Sequence, residues 1–262
     1  MSKVYDLNGN FAGEVKLPEI FSFEYRPDII KRAVLAIQAN RRQRYGANPL
    51  AGKRSSAHYH GKRRYRFTMM NREMARIARI HGKVGSLAFR ARVVPQAVKG
   101  RKAHPPKAEK IWSQKVNKKE NFLAIKSSIA ATANMELLKK RGHLVQESPL
   151  IFVDDFENVN KAKEVKKLFE KLFPDEIERC SKKKVRAGKG KNRGRPYRRK
   201  KGPLVVVSKE CSLLKAARNL PGVDVATVSN LNAELLAPGS QAGRFAVFTK
   251  SALQEIEKRF GG

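Results

Sequence analysis

Few residues in this chain have the type and spacing that catalysis requires. Asp154 and Asp155 follow the apolar run Leu150 to Val153, and acids at the end of a strand hold magnesium in nucleotide-dependent enzymes and nucleases. Such acids also cap the helix that follows, and no glycine-rich cradle precedes this pair, so capping is the expected role. Gly46 through Gly52-Lys53 approaches a phosphate loop, but five residues separate its glycines and Arg54 stands where Ser or Thr would meet magnesium. That spacing sets which amides can cradle phosphate. His58-Tyr59-His60 offers two ring nitrogens with no Cys or acid at ligand spacing, so RNA contact or solvent exposure is expected there instead of metal. His81, His104 and His143 are scattered and form no nucleophile-base pair. Cys180 and Cys211 are the only cysteines and read as reduced structural thiols. The expectation is therefore no catalytic residue, no cofactor and no metal. An RNA-processing enzyme with an acidic metal site on its sheet domain is the alternative, and only Asp154 and Asp155 hint at it.

Charge carries more information. The chain has 262 residues with 57 Lys plus Arg against 23 Asp plus Glu, a formal net charge of +34. Residues 41–112 hold 20 Lys or Arg against Glu73 and Glu109, a net of +18. Residues 182–201 hold 12 cations and no acid, so the two segments account for +30 of the +34. The other 170 residues carry 25 basic and 21 acidic side chains, the balance of a self-contained domain. No run of about 18 apolar residues occurs, and the opening Met-Ser-Lys-Val-Tyr-Asp lacks the apolar stretch of a secretory signal. A soluble, intracellular protein without membrane partners is expected.

The longer basic segment suits a polyanion. Loops beyond roughly 12–15 residues are uncommon unless functional or disordered, and a segment this cationic buries too little apolar area to offset its chain entropy. Going out and back, it could reach on the order of 100 Å. Its aromatics alternate with arginines, supplying stacking faces and planar phosphate forks. The expected RNA contacts there are Arg41, Arg42, Arg44, Tyr45, Lys53, Arg54, His58, Tyr59, Lys62, Arg63, Arg64, Tyr65, Arg66, Arg72, Arg76, Arg79, Lys83, Arg90, Arg92, Gln96, Lys99, Arg101, Lys102, His104, Lys107, Lys110 and Trp112. Its glycines would permit close approach to a packed polyanion, and Met70 to Ile80 could form a short helix. In the second segment Lys189, Lys191, Arg193, Arg195, Tyr197, Arg198 and Arg199 are expected to do the same; a nuclear-targeting or heparin-type patch is the other reading.

The elements around these segments read as an α/β domain. Val4 to Leu7 and Phe11 to Leu17 flank Asn8-Gly9-Asn10 as a hairpin. A helix begins at Pro27, carries Ile30, Ala33, Val34 and Ile37 on one stripe, and ends before Gly46. A second starts at Asn117, with Glu120 completing a capping box, and closes at Lys139-Lys140-Arg141-Gly142. Beyond Leu144, strands at Leu150 to Val153, Leu204 to Val207, Val223 to Val228 and Phe245 to Phe248 alternate with helices near 158–173, 212–219, 232–236 and 251–260. That alternation implies a mostly parallel sheet flanked by helices. The expected organisation is a globular α/β domain over 1–43 and 113–262, a long extended basic arm over 44–112 inserted after the first helix, and a basic loop over 182–201.

Several blocks in order resemble a known family. Leu17-Pro18-Glu19-Ile20-Phe21, Arg26-Pro27-Asp28-Ile29-Ile30, Asn40-Arg41-Arg42-Gln43 with Gly46, Val94-Pro95-Gln96-Ala97-Val98 with Arg101, and Ala103-His104-Pro105-Pro106-Lys107 are five of them. Ser128-Ile129-Ala130-Ala131-Thr132-Ala133 and Asn230-Leu231-Asn232-Ala233-Glu234-Leu235-Leu236-Ala237-Pro238-Gly239 are two more. Together they resemble the archaeal branch of universal large-subunit ribosomal protein four, across nearly the whole chain. The resemblance implies a non-catalytic constituent of the large ribosomal subunit, cytoplasmic and ribosome-bound. By that resemblance its domain sits at the ribosome surface, while its arm crosses ribosomal RNA and lines the nascent-peptide exit tunnel. It also implies contacts with neighbouring large-subunit proteins and with the nascent peptide, and a role in subunit assembly. The family's arm often has a glycine-rich tip, whereas Lys62 to Lys83 here includes Met69, Met70, Asn71, Glu73 and Met74.

Overall fold

The computed structural model describes residues 2–81 and 85–261, so Lys83 lies outside the described residues. By contact the chain divides into two units, Met1–Arg41 with Gln114–Gly262, and Arg42–Ser113.

In the first unit β1 (Ser2–Tyr5) and β2 (Phe11–Val15) pair antiparallel around Gly9 at φ +72°. β3 (Leu150–Phe152), β6 (Leu204–Val207), β7 (Asp224–Thr227) and β8 (Ala246–Thr249) run parallel to one another and to β1. The sheet order is β2-β1-β3-β8-β6-β7, parallel except at the β2 edge. The inner strands β3 and β6 are apolar at every position because helices cover both faces. Leu204, Val206, Ile151 and Phe248 point to one side, against α2 (Lys118–Ala133) and α8 (Lys250–Phe260). Val205, Val207, Leu150, Phe152 and Val247 point to the other, against α4 (Ala162–Leu172), α5 (Pro174–Ser181) and α6 (Leu213–Arg218). The alternation is the period of two that a pleated strand imposes.

A third layer forms where Ile30, Ala33 and Val34 of α1 (Pro27–Arg41) meet Ala124 and Ala131 of α2 and Ala233 of α7 (Ala233–Leu236). Alanines there let the helices approach closely. At the C-terminal end of α1 the Asn40 amide donates to the Gln114 carbonyl at 3.2 Å, and its carbonyl oxygen accepts from the Gln114 amide at 2.8 Å. The chain is thus clasped where it leaves this unit and where it returns.

Four expectations need correction. The capping box at Asn117 does not form: its side chain makes no cap hydrogen bond, and Glu120 pairs instead with Arg32 of α1 at 2.8 Å. The long second helix breaks at Asn134, whose side chain accepts from the amides of Glu136 and Leu137 and so starts α3 (Met135–Arg141) afresh. Residues 154–158 form a 3-10 turn, so the next helix begins at Ala162, and Pro174 then opens the unanticipated α5 because its ring suits a first turn and not an interior. No helix forms between Met70 and Ile80, where Asn71 lies at φ +54° and the Arg79 amide donates to His58 across the segment.

Two predictions follow from this layering. Deleting residues 54–90 should leave cooperative thermal unfolding intact, since no core side chain of the sheet unit lies within them. Phe248→Ala, which removes a fully buried ring packed edge-on against Phe21 at 5.6 Å, should cost about 3–5 kcal/mol in denaturant unfolding.

Candidate nucleic-acid interface

The second unit doubles back on itself. Ala47 donates to Pro106 at 2.9 Å, Arg101 to Val93 at 3.0 Å, His58 to Arg79 at 3.1 Å and Ile80 to Arg90 at 3.0 Å. Gly46 and Gly52 make the outgoing and returning legs fit: a Cβ at Gly46 would stand 2.6 Å from the Ala108 nitrogen, and one at Gly52 2.5 Å from that of Arg101. Their spacing therefore serves contact between the legs, with Gly52 at φ +78°. Non-glycine residues with left-handed backbone concentrate here: Arg64, Phe67, Asn71, Phe89, Val93 and Lys99. Met69 alone among the described residues of this unit is a buried hydrophobic.

The sequence-expected contacts fall into distinct surroundings. Arg42, Arg44, Tyr45, Lys53, Arg54, His58, Tyr59, Lys62, Arg63, Arg64, Tyr65, Arg66, Arg72, Arg76, Arg90, Gln96, Lys99, Lys102, His104, Lys107 and Lys110 are exposed. Arg79 and Arg92 are drawn inward, donating to the carbonyls of Phe89 at 2.9 Å and Val98 at 3.1 Å, and so act as internal braces. Arg41, in the sheet unit, pairs with Glu234 at 2.6 Å. Among the described residues no cation of Arg42–Ser113 has a carboxylate partner. Several lie over rings instead: Arg72 over Phe89 at 4.4 Å, Arg66 over Phe67 at 4.9 Å and Arg42 over Trp112 at 3.8 Å. Tyr45 stacks on Trp112, with centroids 6.1 Å apart.

The structure adds His81 to the His58 and His60 pair. The Nε2 atoms of His60 and His81 are 2.7 Å apart, and Phe67 stacks on His81 at 4.8 Å. Desolvation first, then its two imidazole neighbours, holds His81 below its ordinary pKa. Among the described residues no group of three or more His, Cys, Asp or Glu could hold a metal.

The 182–201 segment is a hairpin, with β4 (Lys184–Val185) antiparallel to β5 (Tyr197–Arg198) and Gly194 turning at φ +73°. Lys189, Lys191, Arg193, Arg195, Tyr197, Arg198 and Arg199 are all exposed on it. At its base lies a groove of about 860 Å³ lined by Arg198 and Arg199 together with Arg141, Arg179 and Arg186. Arg141 and Arg179 come from helix ends distant in sequence, and no spacing flagged them. Burial and the nearby Arg244 and Arg179 push Arg141 down to about 10. Beneath the groove Glu176 is wholly buried, receiving His143 at 2.7 Å, the Leu144 amide at 3.1 Å and Arg179 at 2.8 Å. Burial alone would raise Glu176, but the hydrogen bonds from His143 and Arg179 outweigh it and hold it below the ordinary carboxylate value. Burial pushes His143 down in spite of Glu176 and Cys180 up to about 11, in keeping with a structural thiol.

The crevice at the C-terminal ends of the parallel strands, where α/β proteins bind ligands, is stitched shut. Glu157 accepts from the Ser208 amide at 2.9 Å, the Ser208 hydroxyl at 2.9 Å and the Thr249 hydroxyl at 2.7 Å. Asp154 accepts from the Ser251 amide at 2.8 Å, capping α8 instead of the next helix, and Asp155 is exposed.

Fold and surface thus define a class: an α/β sheet protein carrying two polycationic appendages, one an insertion whose described cations pair with no carboxylate. A model described as "Ribosomal protein L4/L1 family" matches residues 15–259, and the chain belongs to that family. Relatives described as "Large ribosomal subunit protein uL4" agree along the full length. Those of Methanosphaera stadtmanae and Nanoarchaeum equitans are each 47% identical, covering 98% of this chain and 96% and 97% of theirs. That of Methanocaldococcus jannaschii is 49% identical, covering 98% of both.

The buried His143–Glu176 pair predicts acid sensitivity. A histidine held below its ordinary 6.5 and a glutamate held below its ordinary 4.5 both take protons more readily when unfolded. Their stabilisation is present above those values and lost as pH falls, so the melting temperature should decline below about pH 6.5, and more steeply below about 4.5. In Glu176→Gln the decline below about 4.5 should flatten while that below about 6.5 persists, and stability at neutral pH should drop by about 3–5 kcal/mol, the cost of leaving buried charge unpaired.

Proposed function

We propose that this chain is a structural constituent of the large ribosomal subunit, bound in the cytoplasm to large-subunit ribosomal RNA through the insertion and the 182–201 hairpin. Its insertion would line the nascent-peptide exit tunnel, its sheet unit would abut neighbouring large-subunit proteins, and the whole would take part in subunit assembly. Family membership and the names of the archaeal relatives support the assignment. One observation carries the RNA reading. Among its described residues the insertion buries a single apolar side chain, holds six non-glycine residues in left-handed backbone and leaves its cations without carboxylates. Each such backbone costs about 1–3 kcal/mol unless its surroundings enforce it, and little inside the unit does. A polyanion laid along it would supply both the missing charge and the enforcing contacts. The enzyme alternative is weakened, since Asp154 caps α8 and only the exposed Asp155 remains of the pair.

Binding to large-subunit RNA should show the signature of many phosphates. If about eight or more are neutralised, log affinity should fall with log salt at a slope of about −6 or steeper, at roughly −0.7 to −0.9 per phosphate. A slope near about −2 would sink the extended-contact picture. Removing residues 54–90 should reduce the slope while leaving the hairpin's share.

A further inference from the structure

The chain's single tryptophan sits at the root of the insertion. Trp112 stacks with Tyr45 at a ring tilt of 18°, with the Arg42 guanidinium 3.8 Å and the Lys110 ammonium 4.3 Å from the indole centroid. Beside the stack opens a cavity of about 710 Å³ walled by His104, Pro105, Pro106, Lys107 and Glu109. Its walls are held in register, because Ala47 donates to Pro106 and Gly46 lies against Ala108 with no room for a Cβ. The volume is that of a small-ligand pocket. Flat rings and proline faces offer stacking surface, while Arg42, Lys107 and Lys110 outnumber Glu109 and so favour an anionic guest over a cationic one. A planar aromatic ligand carrying phosphate meets both demands, and a duplex does not, since paired bases keep their faces stacked inside the helix.

We propose that this pocket captures one unpaired nucleotide of RNA, its base stacked on the Tyr45–Trp112 platform and its phosphate held by Arg42 and Lys110. The inference rests on the RNA-binding reading but is separable from it. Fluorescence tests it directly, because all indole emission of the full chain comes from this position. A short oligoadenylate should quench that emission saturably, and adenosine monophosphate should do so at higher concentration. Inorganic polyphosphate and an abasic ribose-phosphate oligomer of equal length should not. Trp112→Ala and Tyr45→Ala should each weaken labelled oligoadenylate by about 5- to 150-fold, the worth of one base stack, with Trp112→Phe retaining most of the affinity. Should the abasic oligomer quench equally, the site reads charge alone and the proposal falls. Should oligoadenylate bind with indole emission and the Tyr45→Ala affinity unchanged, the pocket is refuted while RNA binding survives. Failure of every RNA to bind would overturn the RNA reading itself.

Discussion

Among the described residues of the insertion, like charges meet no carboxylate within their own chain, and that constraint governs how its backbone is held. In the insertion most described cations lie over aromatic rings or face solvent, Arg79 and Arg92 bracing carbonyls instead, and a cation over an exposed ring contributes only about 0.5–1 kcal/mol. Two unit charges 4 Å apart in water repel by about 1 kcal/mol. Ring contacts therefore offset near-neighbour repulsion without a surplus to hold left-handed residues such as the β-branched Val93 at φ +73°. In the proposed complex, phosphate would complete such a fold from outside.

The sheet unit solves the same problem internally. Arg244 is fully buried, yet it donates to the carbonyls of Gly202 at 2.8 Å and Leu235 at 2.9 Å and pairs with Asp224 at 2.7 Å. Burial still pulls Arg244 below its ordinary value, with Asp224 opposing the shift. Glu176 is treated similarly by His143 and Arg179. Because buried charge here is matched by partners, the unit has the means to fold independently.

Strand positions were legible because apolar runs such as Leu204-Val205-Val206-Val207 have one physical explanation, burial on both faces. Helix limits were less so. Glu120 had two available partners, the Asn117 backbone and Arg32, and only the packing of α1 on α2 decides for Arg32. The residues of the charged surface were legible as a population through the Arg and aromatic alternation, but not by role. Arg79 and Arg92 look like Arg72 in sequence, and brace the backbone because the legs cross beside them. The groove under the hairpin was invisible, since Arg141 and Arg179 meet it only after α3 and α5 are placed.

The Asn40–Gln114 clasp joins the points of departure and return within the sheet unit. Once a loop's ends are fixed, each doubling of its length adds only about 0.6 kcal/mol of closure entropy. Insertion length is thereby nearly decoupled from the domain's thermodynamics. Lineages could lengthen, shorten or reshape the insertion with the scaffold scarcely registering the difference.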